Sequence, residues 1–128
     1  MKTYGDLIRE ARARIREWDP ETLEEMRASR PDLLIVDVRE PEEYKQGHIP
    51  GALLIPRGTL ECAADPSYKR RVEPLCHAQE RPVVLYCESG GRSALAAATL
   101  QEMGFKEVYH LAGGLDLWEA EDLPVERG

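Results

Sequence analysis

Val83-Val84-Leu85-Tyr86-Cys87-Glu88-Ser89-Gly90-Gly91-Arg92-Ser93, running on into the alanine-rich residues 94–103, is the stretch whose reading decides the fold. Residues 83–86 are an apolar run of the kind that forms a strand buried on both faces. The segment after Arg92 has a helical pattern, closed by Gly104 at C′. A strand thus delivers the Cys87 thiol to a helix N-terminus. Unpaired N–H groups and the positive end of the macrodipole there favour a negatively charged sulfur and hold anions nearby.

Working outward, further apolar runs lie at residues 33–37, 52–55 and 108–111, and residues 15–18 suit a brief edge strand. Helical or turn-rich segments separate them at residues 41–46, 57–63, 66–79 and 93–103. Strands alternating with helices predict right-handed crossover units and an α/β fold. Ligands bind beyond the carboxyl ends of strands in such sheets, which is where residues 87–92 fall.

Nearer the N-terminus, Tyr4, Leu7, Ile8, Ala11 and Ile15 share one helical face behind a Thr3 N-cap, predicting an amphipathic helix that packs over its own chain or meets a second copy. Asp19-Pro20 reads as a cap and N1 proline for a helix ending before Arg30-Pro31. Residues 115–123 predict a packing helix after the Gly113-Gly114 turn.

The 128 residues fit one domain with a core large enough to need no staples. A net charge of −7 gives no support for nucleic-acid or anionic-membrane binding. Three cysteines, Cys62, Cys76 and Cys87, show no pairing rhythm and no zinc-ligand spacing, and the charged N-terminus is unlike a signal peptide. These features predict a cytoplasmic protein with no metal site; Cys62 and Cys76 read as packing or incidental thiols, with a resolving role towards Cys87 left open.

Gly90 and Gly91 allow successive N–H groups of residues 88–92 to turn inward around the Cys87 sulfur, and Arg92 adds a planar donor fork for an oxyanion. Glu88 opposes negative charge nearby and is expected to face solvent. Ser89 reads equally as a donor to a bound anion or as a turn residue, and Ser93 as a helix cap. Arg57 reads as a second positive charge at the same sheet end or as a first-turn partner of Glu61.

The Cys87 loop, together with Asp37-Val38-Arg39-Glu40-Pro41-Glu42-Glu43-Tyr44, Gly47-His48-Ile49-Pro50-Gly51-Ala52, Gly113-Gly114, Trp118 and Leu123-Pro124-Val125, closely resembles the single-domain rhodaneses, the thiosulfate sulfurtransferases. The resemblance covers residues 15–128 as a rhodanese-like domain and leaves residues 1–14 as an N-terminal helical extension. It implies a three-layer fold with a central parallel five-stranded sheet flanked by helices, and a catalytic Cys87 that takes a sulfane sulfur from a thiosulfate-like donor and passes it to cyanide, a thiol or a protein acceptor, with no cofactor. Loop amides of Glu88, Ser89, Gly90, Gly91 and Arg92 would cradle the persulfide, and Arg92 would bind the donor's anionic end. Asp37 and Arg39 are implied as structural support, and His48 as a turn residue. Four residues between Cys87 and Arg92 match the sulfurtransferase form; phosphatases and arsenate reductases of the family carry one more. A persulfide carrier or redox-signalling module working with a protein partner is the alternative from another class.

Overall fold

Short apolar runs without a polar face are stable only between two covering layers, and the computed structural model, which describes residues Met1–Gly128, provides both. Five strands form one sheet: β1 (Arg16–Trp18), β2 (Leu34–Asp37), β3 (Leu53–Leu54), β4 (Pro82–Tyr86) and β5 (Glu107–Leu111). Their order is β1-β5-β4-β2-β3 and every pairing is parallel. β4 lies at the centre with all its residues buried.

Seven α-helices surround the sheet: α1 (Tyr4–Arg12), α2 (Pro20–Ser29), α3 (Pro41–Gln46), α4 (Leu60–Ala64), α5 (Glu73–Cys76), α6 (Gly91–Glu102) and α7 (Gly114–Ala120). The alternation along β4 splits the core. Val83 and Leu85 join Leu60, Leu75, Ala97 and Leu100 of α4, α5 and α6, whereas Val84 and Tyr86 join Leu23, Leu115 and Trp118 of α2 and α7. α1 packs on α6 through Ala11 against Ala94 and Ala98.

Local chemistry sets the helix starts as the sequence predicts. Thr3 and Asp6 form a reciprocal capping box on α1, and the Asp19 carboxylate accepts the Thr22 N–H at 2.8 Å ahead of the N1 proline of α2. Residues 66–79, expected to be helical or turn-rich, hold turns and the single helical turn α5; Asp65 accepts the backbone N–H and the hydroxyl of Ser67 and stabilises the first turn. α1 ends at Arg12, short of Ile15, where the chain turns into β1.

α7 locks the site loop from below. Its first amides donate to the loop: Leu115 N–H to the Cys87 carbonyl at 2.9 Å and Asp116 N–H to the Glu88 carbonyl at 3.0 Å. That approach requires Gly114, whose φ is +59° and where a Cβ would lie 2.5 Å from Glu88 O and 2.6 Å from Cys87 O. Gly114→Ala is therefore expected to lose about 2 kcal/mol or more of stability, read as a lowered urea midpoint at unchanged slope. An unaltered midpoint would contradict the close approach.

Candidate active site

Cys87 follows the last residue of β4, at the carboxyl end of the sheet, and the chain then turns through Gly90 into α6. Gly90 has φ +117° and is the helix N-cap, a backbone setting that a side chain opposes. The turn aims the Gly90 N–H at the Cys87 sulfur, 3.1 Å away, and the Ser93 hydroxyl lies 3.6 Å from the same atom. Cys87 is 1% exposed and belongs to the buried apolar cluster that includes Val38, Ile55 and Leu85. Where the sequence predicts a ring of amides, one amide and one hydroxyl meet the sulfur; Gly91 and Arg92 already belong to α6.

Asp37 and Arg39 are buried beside the loop and bound to each other. Arg39 Nη2 donates to Asp37 Oδ2 at 2.8 Å and its Nε to Oδ1 at 3.0 Å. Tyr86, the residue before Cys87, donates its hydroxyl to Asp37 Oδ2 at 2.7 Å and accepts the Ile49 N–H at 3.0 Å. Burial and then the Asp37 carboxylate push the Tyr86 phenol far above its ordinary range, and Asp37 outweighs burial to hold Arg39 charged. Arg39 also donates to the Gly47 carbonyl at 2.7 Å, which ties in the turn where His48 is buried and stacked on Tyr44.

Two expected anion contacts are engaged elsewhere. The Arg92 fork holds Glu43 of α3 with both nitrogens, at 2.8 and 3.0 Å. Arg57 reaches Glu61 at 3.1 Å and Thr99 at 3.2 Å, partners on α4 and the middle of α6, so its local pairing prevails. Glu88 does not simply face solvent: it pairs with Arg39 at 3.3 Å and is 45% exposed. Partial burial and then the neighbouring Asp116 carboxylate push its carboxyl upward against the pull of Arg39.

Ser93 lies three residues into α6 and is fully buried, so it is not the helix cap. Its hydroxyl contacts His110 Nδ1 of β5 at 3.1 Å, and His110 Nε2 contacts Glu17 of β1 at 2.6 Å. Nothing in the local sequence pattern marks Glu17 or Glu43; the one signal for His110 is a polar residue inside an apolar strand run.

Two cavities flank the loop. One of about 290 Å³ lies between Arg39, Glu43, Glu88 and Glu119; the other, of about 250 Å³, lies between α1, Glu17, His110 and Ser89 to Gly91. Ser89 lines the second, and Cys87 lines neither. Away from the loop, Glu73, Cys76 and His77 place ligand atoms within 4.8 Å of one another, but Glu73 is already paired with His77 at 2.7 Å and Arg71 at 2.9 Å, and burial pushes the Cys76 thiol upward. Cys62 is exposed on α4. No helix is long and apolar enough to cross a membrane.

A parallel α/β sheet whose central strand ends in a cysteine, with a glycine turn carrying that cysteine into a helix start, defines a class of cysteine-loop domains. The chain belongs to the family of the Rhodanese-like domain, whose profile matches residues 19–121. A sulfurtransferase of Allochromatium vinosum is 36% identical over 111 residues, covering 87% of this chain and 94% of that protein. The thiosulfate sulfurtransferase GlpE of Coxiella burnetii is 37% identical over 89 residues, 70% of this chain and 74% of that one. Among solved structures, a Rhodopseudomonas palustris protein of unknown function, described as a possible tyrosine phosphatase, superposes with a TM-score of 0.91 at 34% identity over 98% of this chain and 96% of its own.

The Arg92 partnership pulls the Glu43 carboxyl from 4.5 down to about 2. A lowered carboxyl stabilises the fold above its unfolded value and loses that contribution as pH falls towards the folded one. Wild type is expected to exceed Glu43→Gln in stability at pH above about 5, with the gap closing between about pH 4.5 and 2; urea unfolding across that range checks it. A gap that is constant with pH would contradict the ion pair.

Proposed function

We propose that the protein is a sulfurtransferase that carries a sulfane sulfur as a persulfide on Cys87. The Cys87 thiolate attacks the outer sulfur of a donor such as thiosulfate; the new S–S bond forms as the donor's own S–S bond breaks, and sulfite leaves with the electron pair. An acceptor thiolate then attacks the outer sulfur and returns Cys87 to the thiolate. The observation that carries this reading is the Gly90 N–H donated to the Cys87 sulfur at a helix start, a fixed dipole that needs no rearrangement as negative charge develops. The relatives named as sulfurtransferases support it.

A second reading concerns the donor. Cys87 is 1% exposed and Arg92 is occupied by Glu43. A buried sulfur whose neighbouring arginine is engaged suits a protein-borne persulfide, which brings its own contacts. The phosphatase reading, to which the Rhodopseudomonas relative points, is opposed by the four-residue spacing and by the same occupation of Arg92.

Intact mass spectrometry after thiosulfate exposure is expected to show one added sulfur, removed by cyanide and absent from Cys87→Ser. An unmodified wild type, or a modified Cys87→Ser, would contradict the assignment. Glu43→Gln, which frees Arg92, is expected to lower KM for thiosulfate severalfold while kcat changes less; an unchanged or raised KM would mean that Glu43 does not limit donor binding.

A further inference from the structure

We propose that Ser93, His110 and Glu17 form a proton relay that carries the thiol proton of Cys87 out to the cavity beneath α1. The inference rests on Cys87 being the reacting group of the proposed function.

The chain of contacts is continuous: Cys87 Sγ to Ser93 Oγ, 3.6 Å; Ser93 Oγ to His110 Nδ1, 3.1 Å; His110 Nε2 to Glu17 Oε2, 2.6 Å. Its far end is built by sheet register, because β1 and β5 set Glu17 directly opposite His110. Ser93 and His110 are buried, whereas Glu17 is 35% exposed and lines the 250 Å³ cavity with His110 and Gly90. A buried histidine joined at one nitrogen to a buried hydroxyl and at the other to a half-exposed carboxylate is more than packing requires.

The donor directions follow from the ends inward. Hydrogen bonds from His110 and Arg12 outweigh burial and hold Glu17 as a carboxylate, which can only accept, so Nε2 carries hydrogen. Burial pushes His110 downward against the pull of Glu17, so the ring is neutral and Nδ1 offers a lone pair to Ser93. The single Ser93 hydroxyl proton has two acceptors, the Gly90 carbonyl at 3.2 Å and Nδ1 at 3.1 Å; in the relay it is donated to Nδ1 while Oγ accepts from the Cys87 S–H. The charged or titratable groups around His110 are Glu17 on β1 and, lining the same cavity, Arg12 and Tyr4 on α1.

The step balances without a co-reactant. The S–H proton passes to Ser93 Oγ as the Ser93 hydroxyl proton passes to Nδ1; the Nε2 proton moves to the Glu17 carboxylate and from there to water. The products are the Cys87 thiolate, a neutral imidazole with hydrogen on Nδ1, and a proton released to solvent. Cys87 is 1% exposed, and the relay joins it to the half-exposed Glu17. Ser93, His110 and Glu17 are positioning and proton-carrying residues and do not touch the sulfur donor; Cys87 alone does.

The test is the pH dependence of Cys87 alkylation by iodoacetamide, resolved from Cys62 and Cys76 by peptide mass spectrometry, in wild type, Ser93→Ala, His110→Gln and Glu17→Gln. Each variant is expected to alkylate about tenfold or more slowly than wild type near pH 7, with the difference shrinking as the pH is raised. Wild-type profiles in the variants, or an equal fractional loss at every pH, would overturn the relay, the latter marking a purely structural role. Glu17→Gln alters a half-exposed residue and keeps the test open if the buried variants fail to fold. Alkylation needs no sulfur donor: displaced profiles with no sulfur transfer by wild type would sink the proposed function and leave the relay, whereas transfer with undisplaced profiles would do the reverse.

Discussion

The buried ion pair of Asp37 and Arg39 is the constraint around which the site end of the molecule is arranged. It joins the end of β2, the end of β4 through Tyr86, the turn at Gly47 and the loop at Glu88. Its two charges are removed from water, yet every buried side-chain polar atom has a partner. Pairs of this kind add little beyond a well-packed apolar replacement, whereas losing one partner costs about 3–5 kcal/mol because the other charge is stranded. Their value is geometric: with Tyr86 fixed, the residue after it emerges in one place, and that residue is Cys87.

Electrostatics around the loop then have two parts. At the sulfur, a helix start and the Gly90 N–H favour negative charge. Beside the loop, Arg92 is held by Glu43, and Arg39 by Asp37 and Glu88, so both guanidinium groups are already engaged. The site therefore favours charge that arises on its own sulfur, with its arginines committed to carboxylates of the chain itself.

Much of this was legible in the sequence because it is written in local periodicity. Residues 33–37, 83–86 and 108–111 read as strands buried on both faces, because short branched apolar runs suit a covered parallel sheet. The change from strand pattern to helix pattern at Cys87 located the loop at the sheet's carboxyl end. What was not legible depends on long-range register. Glu43 meets Arg92 across 49 residues and Glu17 meets His110 across 93, and neither pairing leaves a trace in spacing. A Ser93 cap would start the helix three residues later than it begins; with Gly90 as the cap, Ser93 turns inward to the sulfur and to β5.

The most direct measurement of the central claim is a crystal structure of the thiosulfate-treated protein. It is expected to show one extra sulfur bonded to Cys87 Sγ, with the Gly90 N–H still directed at the sulfur pair and the Asp37–Arg39 contacts unchanged. An unmodified Cys87, or an added sulfur on Cys62 or Cys76 instead, would contradict the account.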